Sequence, residues 1–156
     1  MLDRDGRLFS DQQNMAVAKA ARPIKPRLLV IDDETLHRMI ICRVAAKAGY
    51  APAGAASFDE AAKLLRETAF DCVTLDLSLG PDAGFEMLRH LCFIGSAAPI
   101  IVISGCDPAT RSETVKTARS FNLNVWQAIP KPVDLAVLRY WLDRLKSDRE
   151  TAAAAA

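Results

Sequence analysis

Short apolar runs recur along the chain, and each run ends in polar or acidic residues. The runs at 28–31 and 100–103 are continuous, and the run at 72–77 carries apolar residues at alternate positions. Continuous apolar strands are typical of a parallel sheet that is covered on both faces. A weak strand is predicted over 50–56, where Pro52 favours an edge position, and a further strand is predicted over 123–129.

Helical patterns lie between these strands. Leu36, Ile40 and Val44 repeat at helical spacing, and Ser57 with Glu60 forms a capping-box pattern before the next helix. Further helices are predicted over 85–93, 108–121 and 133–146. The fourth helix has few apolar positions, and we expect it to be lightly anchored. Five strands that alternate with five helices predict an α/β domain with a parallel sheet and right-handed crossovers.

The alternation of predicted strands and helices begins after the N-terminal residues and ends before the C-terminal ones. Residues 1–26 mix charges without a period and reach two prolines, which predicts a mobile N-terminal extension. The domain is expected over residues 27–147. Residues 148–156 are expected to form a disordered tail. No second module is expected after the last helix, so this domain is predicted to stand alone.

Composition excludes several classes of protein. A hydrophobic fraction of 51% and a charged fraction of 25% are typical of a globular domain. The net charge of +1 gives no support to a nucleic-acid or membrane partner. No apolar run reaches the roughly 18 residues that span a bilayer, which predicts a cytoplasmic protein. The four cysteines form no CxxC pair and are expected to be free thiols.

Polar residues of the types that bind phosphate and metal stand at the ends of the predicted strands. In an open α/β sheet, the carboxyl ends of the strands form the ligand-binding edge. The sequence therefore predicts that these side chains converge on one pocket, although they are scattered along the chain. They are Asp32, Asp33, Asp76, Ser104 and Lys131.

The residue types in this set indicate phosphoryl chemistry. Three converging carboxylates repel one another and need a cation, and an all-oxygen set suits Mg²⁺. Lys131 offers a positive charge for a phosphoryl oxygen, and Ser104 offers a hydroxyl donor. Asp76 is central, and a carboxylate can attack phosphorus to form an aspartyl phosphate. We therefore interpret Asp76 as the phosphoryl acceptor.

The motifs together resemble a response-regulator receiver domain of two-component signalling. They are Leu-Val-Ile-Asp-Asp-Glu at 29–34, Leu-Asp-Leu-Ser at 75–78, Ile-Ser-Gly at 103–105 and Pro-Lys-Pro at 130–132. The resemblance covers about residues 27–146. It implies a flavodoxin-like (βα)5 fold whose five-stranded parallel sheet has the order 2-1-3-4-5, with helices on both faces.

The resemblance also implies a role for each matched residue. Asp76 stands at the position of the phosphorylated aspartate, Ser104 at that of the switch hydroxyl, and Lys131 at that of the active-site lysine. A Mg²⁺ ion is expected to be held by Asp33 and Asp76, by Asp32 mainly through water, and by the backbone carbonyl of Ser78. The phosphoryl donor is expected to be a histidine kinase or a phosphotransfer protein, and the signal is expected to pass to a downstream protein partner.

One departure from the family pattern concerns the switch. Many members carry Tyr or Phe three positions before the lysine, where this chain has Ala128. By strand alternation, Trp126 is expected on the same face as Ala128. Two other interpretations stay open: a receiver fold that serves as a non-switching interaction module, and a small phosphatase-like enzyme that uses Asp76 as its nucleophile. Autophosphorylation and slow autodephosphorylation are the only expected catalytic activities of a receiver.

The remaining candidates are weaker. His37 and His90 are expected to lie on helix surfaces. Val137, Tyr140 and Trp141 flank the apolar stripe of the last helix. They either extend the core or form an exposed patch for a homodimer or a partner.

Overall fold

Five parallel strands and five helices alternate in the computed structural model, which describes residues 25–156. The sheet has the order β2-β1-β3-β4-β5, so both the flavodoxin-like architecture and the edge position of the second strand are confirmed. The strands are β1 (Arg27–Ile31), β2 (Ala51–Ala55), β3 (Cys72–Asp76), β4 (Ile100–Ser104) and β5 (Val125–Pro130). The helices are α1 (Thr35–Lys47), α2 (Phe58–Glu67), α3 (Ala83–Phe93), α4 (Pro108–Ser120) and α5 (Leu135–Ala155).

Two apolar layers cover the faces of the sheet. One layer packs α2, α3 and α4 against the sheet, and the other packs α1 and α5 against the opposite face. Every residue of β3 and β4 is buried, because both strands are central and covered on both sides. This burial explains why their sequences are apolar until the final residue, with Thr74 in β3 as the exception, and each strand ends at the edge that carries the polar groups.

The fifth strand corrects the prediction about Trp126. Ile100 pairs with Val125, but Ile101 pairs with Gln127, so the register shifts by one residue. Such an irregularity interrupts the alternation of side chains between the two faces. Trp126 consequently packs against the α1 and α5 layer, whereas Ala128 packs against the opposite layer. The expectation that both side chains share a face is wrong.

The last helix is longer than predicted. It continues to Ala155, whereas the sequence predicts an end near residue 146 and a disordered tail over 148–156. Residues 152–156 are alanines, the residue with the highest intrinsic helix propensity, and this propensity favours continuation of the helix. The predicted N-terminal extension falls almost entirely on residues 1–24, which lie outside the described part of the chain.

The fourth helix buries two residues, Val115 and Ala118, which is as many as the first and second helices bury, whereas the third buries four and the last buries three. That it is more lightly anchored than the other helices stays a prediction. In the last helix, Trp141 packs against the core, while Val137 and Tyr140 are exposed. Among the residues that the structure describes, none of the helices has the length and apolar character required to cross a membrane.

Candidate functional site

Asp76 ends the central strand β3 and is 2% exposed. Its two carboxylate oxygens have different partners. Oδ1 accepts a hydrogen bond from the backbone N–H of Ser78 at 2.8 Å, and Oδ2 accepts one from Lys131 Nζ at 2.9 Å. A buried carboxylate requires such donors, and these two hold it at the edge of the sheet where the strands end.

Two further carboxylates lie beside it. Asp32 follows β1, is 1% exposed, and accepts a hydrogen bond from the backbone N–H of Glu34 at 2.9 Å. Asp33 is exposed. One oxygen of each of Asp32, Asp33 and Asp76 lies within 4.8 Å of the other two. Three carboxylates so close together, without cysteine among them, are a donor set that fits a hard cation such as Mg²⁺.

Lys131 follows β5 and brings a positive charge to the same edge. Its Nζ lies 2.9 Å from Asp76 Oδ2 and 3.6 Å from Asp32 Oδ2. Burial alone would lower the pKa of the ammonium, but the hydrogen bond and charge of Asp76, together with Asp32, outweigh burial and raise this pKa above its ordinary value. Lys131 therefore remains protonated and partly balances the negative charge of the acids.

Ser104 ends β4 and is fully buried. The backbone N–H of Lys131 donates to its carbonyl at 2.9 Å, which places the ends of β4 and β5 side by side. The Ser104 hydroxyl does not hydrogen-bond to the acids in the described part of the chain. Its oxygen accepts the N–H of Cys106 at 3.0 Å and also contacts the Cys106 thiol.

The structure therefore places the five predicted residues at the carboxyl ends of four neighbouring strands. It brings Asp32, Asp33, Asp76 and Lys131 into one cluster, and it turns the Ser104 hydroxyl toward its own loop. The side chain of Ser78, the sixth residue, is exposed, and its backbone N–H is bonded to Asp76.

Two residues of α1, His37 and Arg38, contact the site, which the sequence does not predict for either of them. His37 Nδ1 contacts Asp32 Oδ2, and its side chain is only 16% exposed, so the prediction that His37 lies on a helix surface is wrong. The guanidinium of Arg38 donates to the backbone carbonyl of Asp32 at 2.8 Å. Both contacts arise because α1 begins close after Asp32 and its first turn lies beside the end of β1. His90 also has a packed environment, with its ring 5.4 Å from that of Phe58.

A groove of about 560 Å³ is lined in part by Lys131. It lies between the start of α1 and the segment that joins β5 to α5, so that a molecule in the groove would approach the acidic cluster from that side. Its lining residues are mostly apolar and are Glu34, His37, Ile40, Lys131, Pro132, Val133 and Leu135.

Comparison with known proteins decides the family. Residues 28–143, which are most of the chain, match the family described as response regulator receiver domain. The chain belongs to this family. As a receiver domain, it is 34% identical over 79 residues to the chemotaxis protein CheY of Thermotoga maritima, an alignment that covers 50% of this chain and 66% of that protein. Receiver domains are signalling domains.

Solved structures give the same result. A response regulator from Colwellia psychrerythraea matches with a TM-score of 0.69 and 25% identity, over 79% of this chain and 98% of that one. A response regulator from Burkholderia pseudomallei, solved with a phosphorylated aspartic acid, a calcium ion and citrate, matches with a TM-score of 0.62 and 30% identity. That match covers 83% of this chain and 73% of the other.

Some relatives are much longer than the matched region. A protein-glutamate methylesterase/protein-glutamine glutaminase of Koribacter versatilis is 33% identical over 108 residues, which are 68% of this chain but only 29% of that protein. The chain thus matches the receiver part of such relatives and spans less than a third of their length.

Proposed function

We propose that this receiver domain accepts a phosphoryl group on Asp76 and signals by a change in its contacts with other proteins. The observation that carries the proposal is the environment of Asp76. A buried carboxylate lies 2.9 Å from the Lys131 ammonium, beside the carboxylate oxygens of Asp32 and Asp33. The phosphorylated aspartic acid in the similar protein of Burkholderia pseudomallei supports the same assignment.

The donor that this chemistry suits is a phosphohistidine on a histidine kinase or a phosphotransfer protein. An oxygen of the ionised Asp76 carboxylate forms a bond to phosphorus while the bond from phosphorus to the donor nitrogen breaks, and the electron pair of that bond stays on the nitrogen. Lys131 holds one oxygen of Asp76 before the reaction and supplies a positive charge beside the transferred group. The burial of Asp76 excludes water from its inner side.

The residues that would hold Mg²⁺ are Asp32, Asp33 and Asp76, with the backbone carbonyl of Ser78. When bound, the ion offsets the negative charge of the transferred group. Both oxygens of Asp32 already have protein contacts, one with the N–H of Glu34 and the other with His37, so it is suited to act through water. Asp33 is exposed and has its oxygens available for a direct bond.

A non-switching interaction module is the second candidate, and one observation favours it. Ala128 lies where many receivers have an aromatic ring, and its side chain packs into the layer formed by α2, α3 and α4. If no other residue connects the phosphorylated site to the surface that binds a partner, phosphorylation would leave the affinity for that partner unchanged. The homodimer through α5 also stays a prediction; Val137 and Tyr140 would be available for it because both are exposed.

The test is the intact mass of the protein after incubation with acetyl phosphate, with and without Mg²⁺. We expect a labile gain of one phosphoryl group that requires Mg²⁺ and is lost in Asp76→Asn. Asp82→Asn is the matched control, because Asp82 lies in the following loop and has a positive φ of 58°, which asparagine tolerates. Equal labelling of the wild type and Asp76→Asn would refute the proposal.

A further inference from the structure

The hydroxyl of Ser104 is held by the loop that follows it. Ser104 is fully buried at the end of β4, and its oxygen accepts the backbone N–H of Cys106 at 3.0 Å. The Cys106 thiol contacts the same oxygen. In this arrangement the serine can turn toward a group on Asp76 only by giving up its contacts with Cys106.

Cys106 is connected in turn to the fourth helix. The guanidinium of Arg111, in the first turn of α4, donates to the carbonyl of Cys106 at 3.1 Å. The helix begins beside this contact, where Asp107 accepts the N–H of Thr110 at 2.9 Å. Ser104, Cys106 and Arg111 therefore form a continuous chain of contacts from the end of β4 to the start of α4.

The first turn of α4, at the end of this chain of contacts, contains no buried side chain. The buried residues of the helix, Val115 and Ala118, both lie beyond that turn, so that no buried apolar side chain of the first turn opposes its movement. The aromatic ring that many receivers carry three positions before the lysine is replaced here by the methyl group of Ala128.

We propose that Cys106 and Arg111 are positioning residues that transmit a movement of the Ser104 hydroxyl to helix α4. This inference rests on the proposed function, because the movement begins when Asp76 carries a phosphoryl group. The Ser104 hydroxyl then leaves Cys106, the backbone of Cys106 shifts, and the hydrogen bond from Arg111 carries the shift to the helix. The chain of contacts supplies a route that needs no aromatic residue.

Hydrogen exchange of the full-length protein tests the proposal. Exchange in peptides that cover 106–120 is measured with Mg²⁺, with and without excess acetyl phosphate, and the phosphorylated fraction of each sample is read from its intact mass. The variant is Arg111→Ala. The matched control is Arg119→Ala, because Arg119 is on the same helix and its guanidinium also donates to a carbonyl, that of Val125, at 3.1 Å.

We expect phosphorylation to change exchange at the start of α4 in the wild type and in Arg119→Ala. In Arg111→Ala this change falls to less than half at the same phosphorylated fraction, and Arg111→Lys restores it because lysine keeps a donor. Cys106→Ala reduces the change and Cys106→Ser retains it, because the serine hydroxyl replaces the thiol. A merely structural role would raise exchange in both states and leave their difference unchanged.

Two results would overturn the inference alone. One is a change in exchange on phosphorylation that is as large in Arg111→Ala as in the wild type. The other is an equal loss of this change in Arg111→Ala and Arg119→Ala, which would indicate a general weakening of the helix. A wild type that gains no phosphoryl mass would instead overturn the proposed function, and the inference with it. The mass of each sample separates these cases.

Discussion

Gly84 packs against the backbone of the loop that follows the acceptor strand, so that a side chain at this position would destabilise the fold. A Cβ atom on Gly84 would lie 2.6 Å from the carbonyl oxygen of Leu77 and 2.8 Å from its Cα. Leu77 directly follows Asp76. Because both neighbours are backbone atoms, they cannot move aside as the end of a flexible side chain can, and the whole segment must shift.

The expected cost follows from two opposing effects. Overpacking a tightly packed position costs about 1–3 kcal/mol, and the rigid neighbours here place Gly84→Ala near the upper end. Alanine offsets up to about 1 kcal/mol, because it favours the helical conformation more than glycine does. We therefore expect a net loss of about 2 kcal/mol in the free energy of unfolding, which lowers the ratio of folded to unfolded protein about 30-fold.

Urea denaturation of Gly84→Ala, beside Gly105→Ala as the control, measures this effect. A Cβ on Gly105 would have only ordinary contacts, with the nearest atoms of Lys131 at 3.9 Å. Gly105→Ala should therefore be stabilised by about 0.4–1 kcal/mol, because alanine reduces the freedom of the unfolded chain. The two substitutions should have opposite signs. A Gly84→Ala protein as stable as the wild type would refute the packing argument.

Substitutions at other positions should have smaller effects. Thr74 has a buried hydroxyl with no partner in the described residues, so Thr74→Val should be neutral or stabilising by up to about 1 kcal/mol in urea denaturation. The Ser57 side chain accepts the N–H of Glu60, and Ser57→Ala should lose about 1 kcal/mol by the same assay. Burial raises the pKa of Cys72 from 9.0 to about 12, so the native thiol should resist alkylation at pH 8 while the exposed Cys92 reacts. The unfolded thiol ionises first, so stability should fall as the pH rises above about 9, and Cys72→Val should reduce this fall.

The sequence predicts the sheet and the acidic cluster because both depend on simple periodicity. The apolar run before Asp76 requires a strand covered on both faces, and parallel strands bring their carboxyl ends to one edge. A strand interrupted by Pro52 is best placed at an edge, and the structure has it there.

The details that the sequence misses depend on small shifts between elements. One extra residue in β5 moves Trp126 to the other face, and periodicity alone does not reveal such a register shift. The contact of His37 with Asp32 depends on the angle at which α1 leaves the loop after β1. The contacts of Cys106 with Ser104 likewise depend on the conformation of one loop, which the pattern of apolar residues does not determine.

The location of the phosphoryl group tests most directly whether Asp76 is the acceptor. Borohydride reduces an aspartyl phosphate to homoserine, so treatment of the phosphorylated protein followed by peptide mass analysis marks the acceptor. We expect homoserine at residue 76 and at no other aspartate. Homoserine at Asp32 or Asp33, or its absence from protein that has gained the phosphoryl mass, would contradict the assignment of Asp76 as the acceptor.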